Sequence, residues 1–187
     1  MPPDNDRPSG IPGLWGLDHV GLTVPDLEAA VDFFVTVVGC EHVYDGEPTG
    51  GDGAFMRERL NVHPEASCRY CFLRCRSGLN LELFEYSAPD QRTEPLRNSD
   101  VGGHHVAFYV EDMDAAVGHL RAHGVRILGE PMPIDEGPSA GATWVYFLAP
   151  WGLQLELCCA PGGKAYERTA GRFLWHPKFP GRDPVLP

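Results

Sequence analysis

The chain has 187 residues, of which 43% are hydrophobic and 22% charged, a balance that fits an ordinary globular fold of one compact domain or two small units sharing a core. Its formal charge of -11 argues against a nucleic-acid or anionic-membrane partner, because such surfaces need Lys and Arg to displace condensed counterions. No apolar run approaches the roughly 20 residues that cross a bilayer, and the polar opening MPPDNDRPSG has no signal core, so a cytoplasmic protein is expected.

Residues 1–13 hold prolines, glycines and little apolar content and read as a loose arm. Val20, Leu22 and Val24 then alternate with His19, Gly21 and Thr23, the period of a half-buried strand. Pro25 ends it. Asp26 caps a helix whose apolar positions Leu27, Ala30, Val31, Phe34 and Val38 recur at three and four residues, with Gly39 as the stop. A Gly-rich stretch from Asp45 to Ala54 reads as loop, and strands follow near Arg69 to Arg76 and Asn80 to Tyr86, joined by a turn at Ser77-Gly78.

The order then repeats: a strand from His105 to Val110, Asp112 as cap, a helix to about His123, Gly124 as stop, and strands near Val125 to Leu128, Thr143 to Leu148 and Leu153 to Cys158. From Ala160 to Pro187 the chain is rich in proline and aromatics, which predicts a tail packed across the body or a neighbouring subunit. Among the six cysteines, Cys68 and Cys71 have the C-x2-C spacing, but three residues apart on a strand they face opposite ways and no second such pair follows. Reduced, packed thiols are expected.

The repetition is explicit in the residues. DHVGLTVPDLEAAV (18–31) aligns without a gap on HHVAFYVEDMDAAV (104–117), with His, Val, Val, Asp, Ala, Ala and Val shared. GLNLEL (78–83) aligns on GLQLEL (152–157) with one difference, Asn80 against Gln154. Each unit is therefore β-α-β-β-β, opening on a histidine strand and closing on a glutamate strand. The helix covers one face of such a sheet and leaves the other bare, and the concave space that two bare faces enclose suits a small-molecule site.

Strand parity separates the two faces. The aliphatic rows are Val20, Leu22, Val24; Leu79, Leu81, Leu83; Val106, Phe108, Val110; and Leu153, Leu155, Leu157. His19, Glu82, His105 and Glu156 all fall on the opposite face, and parity with the alignment selects His105 over His104. Carboxylates flanked by leucines lose hydration without a partner, which two imidazoles and a divalent cation can repair. Glu85, by alternation, lies away from Glu82, where an ion pair or solvent is expected; His63, His176 and Lys164 read as structural.

DHVGLTVPDLEAAVDFF and HHVAFYVEDMDAA with NLELFEY and LQLELCCAP resemble the opening and closing elements of the vicinal oxygen chelate superfamily, over about Leu14 to Pro161. That resemblance implies an α+β fold of paired βαβββ modules (about 14–90 and 102–161) forming a cup, a tail from 162 to 187, and a homodimer. It implies His19, Glu82, His105 and Glu156 as ligands of a divalent ion (Zn, Ni, Co, Mn or Fe), with Glu82 and Glu156 as catalytic proton carriers. Carboxylates at both closing strands resemble the glyoxalase and epimerase branch more than the dioxygenases, which use two histidines and one carboxylate. Within it, a small polyhydroxylated ketone suits the polar positions Thr23, Asn80, Tyr109 and Gln154, and the leading expectation is a cyclitol-ketone epimerase of the valiolone type. Acyl-CoA epimerisation, glyoxalase chemistry and dioxygenation follow in that order, and a metal-free drug-binding protein is the non-enzymatic alternative.

Overall fold

A computed structural model describes residues 10–76 and 78–181; residues 1–9 of the arm, Ser77 of the turn and residues 182–187 of the tail lie outside them. The first unit runs β1 (His19–Thr23), α1 (Leu27–Asp32), β2 (Glu41–Asp45), α2 (Gly53–Arg59), β3 (Ser67–Cys75) and β4 (Leu79–Ser87). The second runs β5 (Val106–Tyr109), α3 (Met113–Ala122), β6 (Arg126–Pro133), β7 (Thr143–Leu148) and β8 (Gln154–Cys159). The two sheets have matching orders, β1-β4-β3-β2 and β5-β8-β7-β6.

In both, the opening strand lies parallel to the closing strand and the other neighbours are antiparallel. Register repeats too, since Gly21 sits opposite Glu82 and Ala107 opposite Glu156. The expected caps form: the Asp26 carboxylate accepts the Ala29 N–H at 2.9 Å, and Asp112 accepts that of Ala115 at 2.9 Å. Gly39, with φ of 86°, ends the first helix in a conformation that costs a residue with a Cβ more.

Three features depart from the pattern read along the chain. The first helix widens into a π-helical turn over Phe33–Val38, which carries the consecutive rings of Phe33 and Phe34 into the core. The stretch Asp45 to Ala54 is not loop throughout: it ends in the start of α2, where Asp52 accepts the N–H groups of Ala54 and Phe55 and Met56 is fully buried. Strand β2, which carries little alternating hydrophobicity and is exposed along its length, is the edge of the first sheet.

The aliphatic rows of both sheets join one core. Leu22, Leu73, Leu81 and Leu83 from one unit share it with Val145, Phe147, Leu155 and Leu157 from the other. Trp151 wedges between the units, its ring 5.7 Å from Phe33 and 6.0 Å from Phe34, and the His119 ring nitrogen donates to the Val37 carbonyl at 2.9 Å. The two sheets thus meet through their helix-bearing sides, and their glutamate-bearing faces turn outward. Beyond β8, a 3-10 turn (Ala165–Arg168) leads into a segment that packs on β5: His176 meets Tyr109 edge to face at 4.3 Å, and Lys178 pairs with Glu111. All six cysteines are free thiols.

Candidate metal and active site

Strand β1 delivers His19 and its neighbour β4 delivers Glu82 to the same face, with His19 Nε2 3.1 Å from Glu82 Oε2. The second unit repeats this contact: His105, just ahead of β5, places Nε2 2.9 Å from Oε2 of Glu156 on β8. Each carboxylate side chain keeps 16% of its exposure, and the histidines 37% and 34%. The structure therefore builds the predicted quartet as two matching pairs. It does not bring the pairs together within the chain: among the described residues, no three of the four hold ligand atoms within 4.8 Å of one another. The physical reason is the shared core, which takes up the aliphatic faces and points the two half-sites away from each other.

The outer partners of each imidazole leave Nε2 aimed at the carboxylate. His19 Nδ1 lies 2.7 Å from Asp18 Oδ2, a contact that in the neutral ring holds the proton on Nδ1 and would present the Nε2 lone pair to an ion. The Asn98 side-chain amide lies 3.2 Å from His105 Nδ1, and its carbonyl can take the same proton. The hydrogen bond that His19 donates to Asp18 raises its pKa, against burial, which lowers it, and with the nearby Glu82 charge adding to the rise. Desolvation raises that of Glu82, with His19 working against it and Asp18 adding to it. A carboxylate that is costly to keep ionised, beside an imidazole with a free lone pair, is a donor set that fits a divalent cation. The neighbouring His104 places its Nδ1 3.1 Å from the Gly102 carbonyl oxygen, and it is His105 whose Nε2 lies 2.9 Å from Glu156.

Around the histidines the bare faces are aromatic. Phe72 meets His19 edge to face at 5.4 Å and stacks on Tyr44 at 5.0 Å, and Tyr70, Phe84 and Tyr86 extend the row. In the second unit Tyr146 meets His105 at 5.1 Å, with Trp144 behind it. These rings, with Asp18 and Asn98, are what sequence reasoning passed over, although Phe72 and Tyr146 lie directly opposite Glu82 and Glu156 in the register. Glu85 behaves as parity required: its Oε2 accepts the Leu27 N–H at 2.7 Å and binds Arg69 at 2.7 Å, on the helix side. A separate cavity of about 680 Å³ lies between the units under Trp175 and His176, and none of the quartet lines it.

A model of the glyoxalase/bleomycin resistance protein/dioxygenase superfamily matches residues 18–147, which include His19, Glu82 and His105 and end within β7, ahead of Glu156. The chain belongs to this superfamily. It is the vicinal oxygen chelate family that the repeated strands resemble. Within the superfamily, the chain is 49% identical over 171 residues to a 2-epi-5-epi-valiolone epimerase of an Actinomyces species, covering 90% of this chain and 92% of that one. It is 31% identical over 149 residues to the mitochondrial methylmalonyl-CoA epimerase of Bos taurus, covering 77% and 74%. A crystal structure of a glyoxalase family protein from Bacillus cereus superposes with a TM-score of 0.65 at 22% identity, over 83% of this chain and all of that one, and shows the superfamily fold of paired βαβββ modules.

Proposed function

We propose that this protein is a divalent-metal-dependent epimerase that inverts a carbon next to the carbonyl of a small cyclitol ketone of the valiolone type. The observation that carries the reading is the matched pair of largely buried glutamates, each 2.9 to 3.1 Å from an imidazole whose other nitrogen is engaged. His19, Glu82, His105 and Glu156 would hold the ion, which would supply positive charge beside the substrate carbonyl, where negative charge grows as the α-proton leaves.

Glu82 and Glu156 carry the proton. One enters ionised and takes the α-hydrogen as a proton, leaving the electron pair delocalised onto the carbonyl oxygen; the other enters protonated and returns a proton to the opposite face of the same carbon. Configuration is inverted with no net gain or loss of atoms. Burial raises the proton affinity of Glu82 and brings it nearer the range in which a carboxylate is an effective base. The aromatic rows exclude water and offer flat apolar surfaces to the C–H faces of a ring substrate.

Two observations favour the cyclitol over an acyl-CoA. The relative 49% identical to this chain acts, by its name, on a valiolone, and it matches over 90% of the chain. Among the arginines that could meet the phosphates of a CoA thioester, Arg69 is already held by Glu28 and Glu85 and Arg97 by Asp100.

Because one chain leaves both half-sites open, the reading includes a homodimer in which the first unit of one copy faces the second unit of the other. Leu14, Trp15 and Leu17, directly ahead of His19, are 58%, 91% and 73% exposed, and such a run of apolar surface suits an interface. Incubation with a cyclitol ketone in heavy water tests the activity: solvent deuterium enters the α-position with the wild type and not with Glu156→Gln. Exchange that survives both Glu82→Gln and Glu156→Gln assigns the base elsewhere and ends the proposal.

A further inference from the structure

A second set of metal-binding side chains converges on the far side of the first sheet. His42 Nε2 lies 3.0 Å from Asp45 Oδ1, and with Cys71 Sγ these ligand atoms all fall within 4.8 Å of one another. Cys71 is fully buried at the floor, while His42 and Asp45 keep 35% and 74% of their exposure at the rim. Beside them opens a cleft of about 770 Å³ between α1 and β2, lined by Val31, Val35, His42 and Asp45 among others.

A β-bulge makes the convergence possible. On a regular strand, residues three apart point to opposite faces. Along β2, however, His42 pairs with Leu73, and the register then slips so that Tyr44 pairs with Phe72 and Asp45 with Cys71. The extra residue, Val43, turns both His42 and Asp45 to the face that bears Cys71, while Tyr44 stays with Phe72 on the His19 side.

We propose that His42, Asp45 and Cys71 form a second cation site, distinct from the His19, Glu82, His105 and Glu156 set, that takes a borderline-soft divalent ion of the zinc class. One thiolate, one imidazole and one carboxylate are the donors such an ion accepts, and a fourth position stays open toward the cleft for water. On binding, the Cys71 S–H bond breaks, its proton passes to solvent and the sulfur pair goes to the metal. No oxidant or reductant is involved. The ion pins the exposed edge strand β2 to β3 at the bulge, where the ladder is weakest.

Sulfur separates this site from the other set, which has none. Metal-stripped full-length protein titrated with Co(II) develops a thiolate-to-cobalt charge-transfer band in the near ultraviolet, and Cys40→Ser and His105→Ala leave that band in place. Cys71→Ser removes it, and His42→Ala, an exposed change that spares the core, weakens Co(II) binding at this site by at least about tenfold, the loss that even an outer partner of a ligand produces. A wild type without the band, or a band that survives both Cys71→Ser and His42→Ala unchanged, overturns the proposal. Failure here leaves the deuterium-exchange result untouched, so the two sites stand or fall separately.

Discussion

Glu82→Gln removes one negative oxygen from the first half-site and keeps the shape of the side chain. Burial already disfavours the charge on this carboxylate, so its loss costs little folding energy, and stability should change by less than about 1 kcal/mol. Catalysis is another matter. A positioned proton carrier contributes about 10²- to 10⁴-fold, which at 1.36 kcal/mol per tenfold is about 2.7 to 5.4 kcal/mol of barrier. The amide has no proton affinity to offer, so α-hydrogen exchange and epimerisation should fall together by that factor. Proton NMR of the substrate in heavy water reads the exchange, and a thermal melt on the same sample reads stability. A variant that exchanges within about tenfold of wild type, with metal content unchanged, refutes the assignment of Glu82 to proton transfer.

Three further outcomes follow from the geometry. Glu85→Ala, which strips the Leu27 N–H and Arg69 of a shared acceptor, should lower the melting temperature by about 2–8 °C for a loss of about 1–2 kcal/mol, with exchange unchanged. Loss of exchange would place Glu85 at the site. Phe34→Ala empties a fully buried position where the two units meet at Trp151 and should cost about 3–5 kcal/mol, measurable as a shifted urea midpoint; a cost under about 1 kcal/mol would contradict the shared core. Chelator treatment should abolish epimerisation and lower the melting temperature, with both restored by Co(II), Ni(II), Mn(II) or Zn(II); full activity in stripped protein would refute the metal requirement.

Much of the fold was legible because the chain writes its unit twice. Alternation gave the faces of β1, β4, β5 and β8, and the Asp26 and Asp112 caps form as their spacing predicts. Parity also put Glu82 on the His19 face and Glu85 on the other, and the structure sets Glu82 beside His19, Glu85 against Leu27 and His105 beside Glu156. What stayed hidden had weak local signals. Edge strand β2 buries nothing that would impose an alternating pattern, and its bulge leaves no mark in composition. Helix α2 is seven residues long and begins at a glycine. The separation of the half-sites could not be read at all, because it depends on which faces the two units bury against each other, a choice made by Trp151, Phe33 and Phe34 across long sequence separations.

Subunit complementation tests the central claim, that one centre is assembled from His19 and Glu82 of one copy and His105 and Glu156 of another. His19→Ala and His105→Ala homodimers should each be inactive. Unfolded together and refolded as a mixture, they should regain about a quarter of wild-type exchange, since half the dimers are mixed and each mixed dimer holds one intact site. A mixture as inactive as its parents, with mixed dimers demonstrated, would contradict the account.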